Sequence, residues 1–320
     1  MVEKEVGASL PHYPVLYQET LKALRPAPGG RYVDCTLGAG GHAAGILEAS
    51  SPDGELLGLD VDPAAIELAR ERLAPYSQRT IIHQASYSAL VELLAGCGWR
   101  GVDGILLDLG LSSMQLDTPS RGFSFRADAP LDMRFDPHNE VTAADLVNNM
   151  QESELADVIY LYGEERRSRQ IARAIVRDRP IRTTRELANV IAGTMSGDKV
   201  RSSSNKRHIH PATRSFQALR IAVNHELEAV ESVLPQAMAA LSPSGRLVVI
   251  SYHSLEDRLV KRFFRRESKD CVCPPQQPVC SCGHSAQLIE IARKPIRPTE
   301  DEVERNPRSR SARLRVVEKI

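Results

Sequence analysis

The strongest constraint on the fold is a rhythm in the first third of the chain. Four short apolar runs at 31–37 (RYVDCTL), 55–61 (ELLGLDV), 80–84 (TIIHQ) and 102–109 (VDGILLDL) read as strands, and the stretches between them read as helices. One of those helices opens with Asp62 as N-cap and Pro63 at its first position. Continuous apolar runs belong to strands buried on both faces, which predicts a parallel sheet covered by helices on each side. The rhythm stops at about residue 112. From there to 213 the chain offers a polar loop rich in Arg and Asp (SRGFSFRADAPLDMRFD) and helical patterns at 143–148, 152–160 and 164–178. Alternation resumes with a long helix at 215–241, a strand at 245–251 and a helix at 255–265; 288–292 and 312–317 are expected to pair as antiparallel edge strands. The predicted fold is α/β, a doubly wound, mostly parallel Rossmann-like sheet with a helical insertion domain. Residues 1–115 form the first part of the core, 116–212 the insertion on the substrate side, and 213–320 the second part with a Cys-rich loop at 271–284.

The chain has 320 residues, enough for one large domain with an insertion. Its 42% hydrophobic and 26% charged residues are those of an ordinary globular protein. No stretch is long and apolar enough to span a membrane, and the N-terminus lacks the basic-then-apolar pattern of a secretory signal, so a cytoplasmic location is expected. The 41 basic and 41 acidic residues cancel, but Arg is concentrated at 166–185 and 305–315, so a nucleic-acid partner is not excluded. Cys35 and Cys97 stand in apolar surroundings and read as buried small hydrophobes. Oligomeric state is left between monomer and homodimer.

The run Asp34-Cys-Thr-Leu-Gly38-Ala-Gly40-Gly41-His42 joins the first strand to the first helix. Its glycines let the backbone turn tightly and bring a ligand against the chain. Asp60 ends the second strand, where a carboxylate can accept both hydroxyls of a ribose, and Asp108 ends the fourth on the same sheet edge. Gly38, Gly40 and Ala43 also satisfy the dinucleotide pattern G-x-G-x-x-G/A, so the loop alone admits NAD and an oxidoreductase. A strand-to-helix turn that binds nothing is the plainer alternative.

Three further constellations stand out. Ser251, His253, Ser254, Glu256 and Asp257 suggest a hydrolase triad, but they crowd one strand-to-helix junction and no G-x-S-x-G elbow exists. Partial capping of the helix by Ser254, with Asp257 at its third position, accounts for them; His253, at the ligand edge, either touches the target or does not. In the polar loop Arg121, Arg126 and Arg134 stand among Phe123 and Phe125, as phosphate grips and base-stacking rings or as packed aromatics with Asp132 paired to an arginine. The helix region 164–185 is basic, which suits either a solvated face or an RNA-facing one. Cys271, Cys273, Cys280 and Cys282, with His284 nearby, can hold zinc, although C-x-C is tighter than the usual spacing and the stretch between is a proline-rich loop.

The segment Asp108-Leu-Gly-Leu-Ser-Ser113-Met-Gln115 is a sharp polar turn beyond a buried strand. Together with HYPVLYQETLKAL, DCTLGAGGH, DGILLDLGLSSMQLDTPSRGFSFRADAPLDMRFD, YGEERRSRQIARAIV, HPATRSFQALRIAVNHEL, VVISYHSLEDRLVKRFF and NPRSRSARLR, it resembles the MraW/RsmH family of bacterial 16S ribosomal RNA cytosine-N4 methyltransferases across nearly the whole chain. The resemblance implies a class I methyltransferase sheet, S-adenosylmethionine as cofactor, and 16S rRNA within the small ribosomal subunit, near the decoding region, as substrate. It implies donor contacts at Gly40, Gly41, His42, Asp60, Tyr87, Asp108 and Gln115, with Tyr87 flanking the adenine. Candidate catalytic residues are Asp108, Ser113 and His253. A conjugated exocyclic amine is a poor nucleophile, so an acceptor for its N–H is the chemistry such a turn has to supply. Tyr252 departs from the family's usual Phe, and the added hydroxyl is expected to change little. A ribosome-assembly factor that keeps the cofactor fold without turnover is the non-enzymatic alternative.

Overall fold

The computed structural model describes residues 13–195, 210–277 and 279–320. The start of the HYPVLYQ motif, the N-terminal stretch read for a signal, and residues 196–209 of the expected insertion lie outside the described residues. The chain divides into two compact units, one comprising the residues up to Leu109 together with Ser232–Ile320, the other Gly110–Glu231.

In the first unit the order is α1 (Tyr17–Leu24), β1 (Arg31–Asp34), α2 (Gly41–Ala49), β2 (Glu55–Asp60), α3 (Pro63–Leu73), β3 (Thr80–Gln84), α4 (Leu90–Gly96) and β4 (Val102–Asp108). The second unit contains α5 (Ser113–Asp117), α6 (Ala143–Asn149), α7 (Glu152–Gly163), α8 (Ser168–Arg177), α9 (Thr184–Met195) and α10 (Thr213–Asn224). After α11 (Glu226–Ala240) the first unit is completed by β5 (Leu241–Ser251), α12 (Ser254–Glu267), β6 (Leu288–Glu290), α13 (Glu300–Arg305) and β7 (Arg313–Lys319).

The seven strands form one sheet in the order β3-β2-β1-β4-β5-β7-β6. The first five are parallel, and β7 runs antiparallel to both β5 and β6. The last two strands do pair as expected, but β7 inserts beside β5, so of these two β6 alone lies at an edge. Order reverses between β1 and β4, which opens a crevice at the carboxyl ends of these strands. β1 is shorter than the run 31–37, because after Asp34 the chain leaves strand geometry. Its amides still reach the neighbours: Cys35 N–H donates to Leu106 and Leu37 N–H to Leu59.

Val33, Leu56, Leu57, Ile105, Leu106, Leu247 and Val248 are fully buried, each contributing about 2 kcal/mol of burial. Asp62 caps α3 by accepting the Ala64 amide, as its sequence position predicts. Cys35 is buried, but Cys97 is only half-buried at the end of α4.

The structure departs from the sequence reading at three places. The single helix at 215–241 is two helices, broken at His225 in the left-handed region (φ 50°). The Asn224 side chain accepts the Phe135 amide and donates to the Met133 carbonyl, and Arg220 pairs with Glu226 at 2.7 Å; these bonds hold the break. The pattern at 164–178 likewise begins as a helix only at Ser168, since Glu164 (φ 49°) terminates α7. The second unit also continues past residue 212, because Phe216, Leu219 and Val223 of α10 belong to its core with Leu155, Ile159, Ile171 and Ile175.

The C-terminal strand is tied down by charge as well as by its ladder. Asp257 on α12 accepts from Arg313 at 2.9 Å and Arg315 at 2.7 Å, and both Asp257 and Arg315 are buried. Burial alone would raise the Asp257 pKa, but its hydrogen bonds with the two arginines outweigh that and hold it below the ordinary carboxylate value. Its contribution is therefore present above the unfolded carboxylate pKa of about 4 and is lost as pH falls through the lower folded value. Replacing Asp257 with Ala leaves Arg315 buried without its partner. Urea denaturation at neutral pH should show a loss of about 3 kcal/mol, which shrinks in acid.

Candidate active site

The carboxyl ends of β1, β2 and β4 deliver Asp34, Asp60 and Asp108 to the crevice, and α2 adds His42 from the far side of the glycine loop. The loop needs its glycines for conformation. Gly38 (φ 51°) and Gly40 (φ 75°) both sit in the left-handed region, and a side chain on Gly40 would press on Leu73 and Ala69 of α3. With that turn in place, the Gly38 amide donates to one Asp60 oxygen at 2.8 Å and the Asp62 amide to the other at 2.9 Å. Burial raises the Asp60 pKa, and these two amides oppose the rise.

Asp108 is fixed from two directions. Its own amide donates to Thr36 Oγ1 at 2.6 Å, and the Tyr252 hydroxyl donates to its Oδ1 at 2.8 Å. The Tyr252 hydroxyl, the one departure noted from the family's usual Phe, is therefore a direct partner of Asp108; burial, then the Asp108 charge, drives its pKa well above the usual phenol value. His42 Nε2 lies 3.6 Å from Asp108 Oδ2. Both ring nitrogens of His42 are buried and lack a hydrogen-bond partner among the described residues, and its ring stacks on Tyr17 at 6.0 Å. A buried imidazole with nothing to bond is costly unless a ligand completes it.

Asp34 lies beneath this group with 1% exposure. Burial chiefly, then the neighbouring charges of Asp108 and Asp60, pushes its carboxyl up to about 7, against opposition from His42 and the Thr36 amide. The loop motif was plain in the sequence, yet Asp34 was not singled out in it. Its burial and its closeness to two further carboxylates follow from the strand order β2-β1-β4. Three carboxylates converging on one crevice, with an unsatisfied imidazole among them, suit a ligand that carries positive charge and hydroxyl donors.

The remaining expected residues are placed as follows. Tyr87 opens a one-turn helix just after β3, half-buried, behind the Ser86 cap. His253 ends the β5 side of the crevice, but it caps α12: its Nδ1 accepts the Glu256 amide, and Glu256 accepts the amides of Tyr252 and His253. The cap is thus His253 with Glu256, not Ser254 with Asp257; the helix starts one residue earlier, and Asp257 turns to β7.

In the second unit Ser113 starts α5, and Gln115 is buried as the capping-box partner of Ser112. Arg121 donates to the carbonyls of Arg134 and Phe135, and Arg134 forms a two-point pair with Asp132 and donates to Pro137 and Asn139. Both guanidiniums thus tie the loop to itself, while Arg126 is exposed. Phe123 is buried and Phe125 packs on Phe216 at 4.9 Å, so these rings belong to the core of this unit. Arg169, Arg173 and Arg177 are exposed at helical spacing on α8, and Arg166 is exposed in the turn before it. Arg177 pairs with Asp178 and Arg173 lies 3.6 Å from Glu152.

A model of the MraW methylase family matches residues 9–320. The chain belongs to that family. As a member it is an S-adenosylmethionine-dependent methyltransferase, and its mostly parallel sheet is Rossmann-like. Curated relatives extend along almost all of it. A protein of Dehalococcoides mccartyi is 53% identical over 97% of this chain and 87% of its own length. One from Thermomicrobium roseum is 51% identical over 98% and 94%, and one from Heliobacterium mobile 49% identical over 97% and 99%. Each of the three bears the name ribosomal RNA small subunit methyltransferase H.

The Asp34 carboxyl gives a direct test of the site's electrostatics. Its raised pKa means that the folded chain keeps a proton the unfolded chain has lost, so this group's stabilising contribution is complete below about pH 4 and is lost as pH rises through about 7. Carboxyl-carbon NMR should show one aspartate titrating near 7 in the ligand-free protein, and Asp34→Asn should remove that titration. A titration near 4 would contradict the convergence described.

Proposed function

We propose that this protein transfers the methyl group of S-adenosylmethionine to the N4 exocyclic amine of a cytosine in 16S rRNA of the small ribosomal subunit, in the decoding region. The observation that carries the reading is the identity of about half of all residues, end to end, with relatives named for small-subunit ribosomal RNA methylation. The specificity for cytosine N4 and for the decoding region rests on the family resemblance and on the chemistry of the polar turn after β4.

The residues present suit this cofactor: the carboxylates match its positive charge and its ribose, and the orphaned His42 nitrogens offer polar contacts in a buried place. Gly40, Gly41 and His42 would hold it along the loop, Asp60 at the ribose hydroxyls and Tyr87 at the adenine, with Gln115 assigned to the donor by resemblance. S-adenosylmethionine supplies a methyl group on a sulfonium, already activated towards a nucleophile. Asp108 accepts an N–H of the incoming amine and so favours its lone pair on nitrogen. Thr36 and Tyr252 keep that carboxylate in place, so little reorientation is needed when the amine arrives. Ser113 and His253 are further candidates at the acceptor, by motif and by position on the sheet edge respectively. The second unit carries the RNA side, with Arg126, Arg166 and Arg169 as exposed cations for phosphate.

Methyl-labelled S-adenosylmethionine incubated with undermethylated small subunits, followed by nucleoside analysis, tests this. The label should appear in N4-methylcytidine, and Asp108→Ala should lower incorporation by at least ~100-fold, in the range seen when a positioned general base is removed. Label in another nucleoside would overturn the specificity, and full activity of the Asp108 variant would remove it from the site.

A further inference from the structure

The segment between α12 and β6 has no buried residue among its described positions, 268–277 and 279–287. Nothing apolar holds it: Val272 and Val279 are 41% and 72% exposed. Yet it brings the sulfurs of Cys271, Cys273, Cys280 and Cys282 to one point, all within 4.8 Å of one another. A long loop without a core normally lacks the means to order four side chains so closely.

Two of the separations match the edge of a zinc tetrahedron. Cys280 and Cys282 sulfurs are 3.6 Å apart and those of Cys282 and Cys271 are 3.8 Å apart. Four sulfurs at about 2.3 Å from a central zinc ion would be separated by about 3.8 Å. All four cysteines are free thiols. The backbone is arranged for thiolates as well. The Cys273 amide donates to Cys271 Sγ at 3.4 Å. Such N–H···S bonds offset the charge of a deprotonated sulfur.

The arms between the cysteine pairs are braced. Gln277 donates from its backbone to Pro274 and from its side chain to Val279 and Ser281. His284, counted from the sequence beside the cysteines, is turned away: Nδ1 meets the Lys269 carbonyl at 2.8 Å and Nε2 faces Glu267 at 3.4 Å. It closes the base of the loop instead of serving as a ligand.

We infer that Cys271, Cys273, Cys280 and Cys282 form a structural tetrathiolate zinc site that staples the α12–β6 connection. Binding breaks four S–H bonds and forms four Zn–S bonds, and the protons go to solvent with no change of oxidation state. All four positions are filled by protein, so the site is closed and takes no part in methyl transfer. Soft thiolates in this geometry select zinc over hard cations.

The test uses the full chain, purified under reducing conditions without chelator or metal-affinity tag. Elemental analysis should find close to one zinc per chain. Exchange with cobalt(II) should give the thiolate charge-transfer and visible bands of a tetrahedral tetrathiolate centre. A Cys271→Ser, Cys282→Ser variant should lose at least ~tenfold in bound zinc, with circular dichroism reporting the intact sheet. Wild-type protein that binds no more zinc than this variant would overturn the assignment. So would a cobalt spectrum without thiolate bands, or cysteines found as disulfides under these conditions; the cobalt spectrum decides even where the variant fails to fold.

Discussion

The structure of the site depends on one constraint: the backbone turn from Asp34 to His42 has to pass close over the ends of three strands. Gly38 and Gly40 permit the turn, and the Gly38 amide is thereby aimed at Asp60. Thr36, in the same turn, receives the Asp108 amide. One loop therefore ties β1 to β2 on one side and to β4 on the other. The cost is a buried carboxyl, Asp34, and a buried imidazole, His42, whose nitrogens have no hydrogen-bond partner among the described residues. Costs of this kind are expected where a ligand supplies the missing interactions.

The sheet itself was legible in the sequence because its strands are buried on both faces. Continuous apolar runs place 55–61, 80–84 and 102–109 within a residue or so of the observed strands. The turn chemistry at Asp62-Pro63 is equally local, and it too is found where it was read. Legibility fails where a boundary is set by tertiary contacts. Nothing local in 215–241 marks a break at His225; Asn224 stops the helix there by bonding to Phe135 and Met133, about ninety residues away in sequence. At α12 the cap is His253 with Glu256 in place of Ser254, while Asp257 is engaged by two arginines of β7.

The site was legible to a similar degree. Asp60 and Asp108 stand out as strand-ending carboxylates, and both converge on the crevice. Asp34 escapes notice because a strand-ending Asp is common, and its perturbation comes from neighbours on β2 and β4. Tyr252 shows the converse: its departure from the family's usual Phe was visible, but its partner was not. The loop arginines show how composition misleads, since Arg121 and Arg134 bond to the loop's own carbonyls, a use that no residue count reveals.

The central claim is that this carboxylate and imidazole cluster is a binding site for S-adenosylmethionine. Parallel calorimetric titrations of the full chain with S-adenosylmethionine and with NAD test it most directly. The account predicts saturable binding of S-adenosylmethionine at one site per chain, weakened at least ~tenfold in Asp60→Ala through loss of charge-assisted hydrogen bonds, and no saturable binding of NAD. Undiminished affinity in Asp60→Ala, or binding of NAD in place of S-adenosylmethionine, would contradict it.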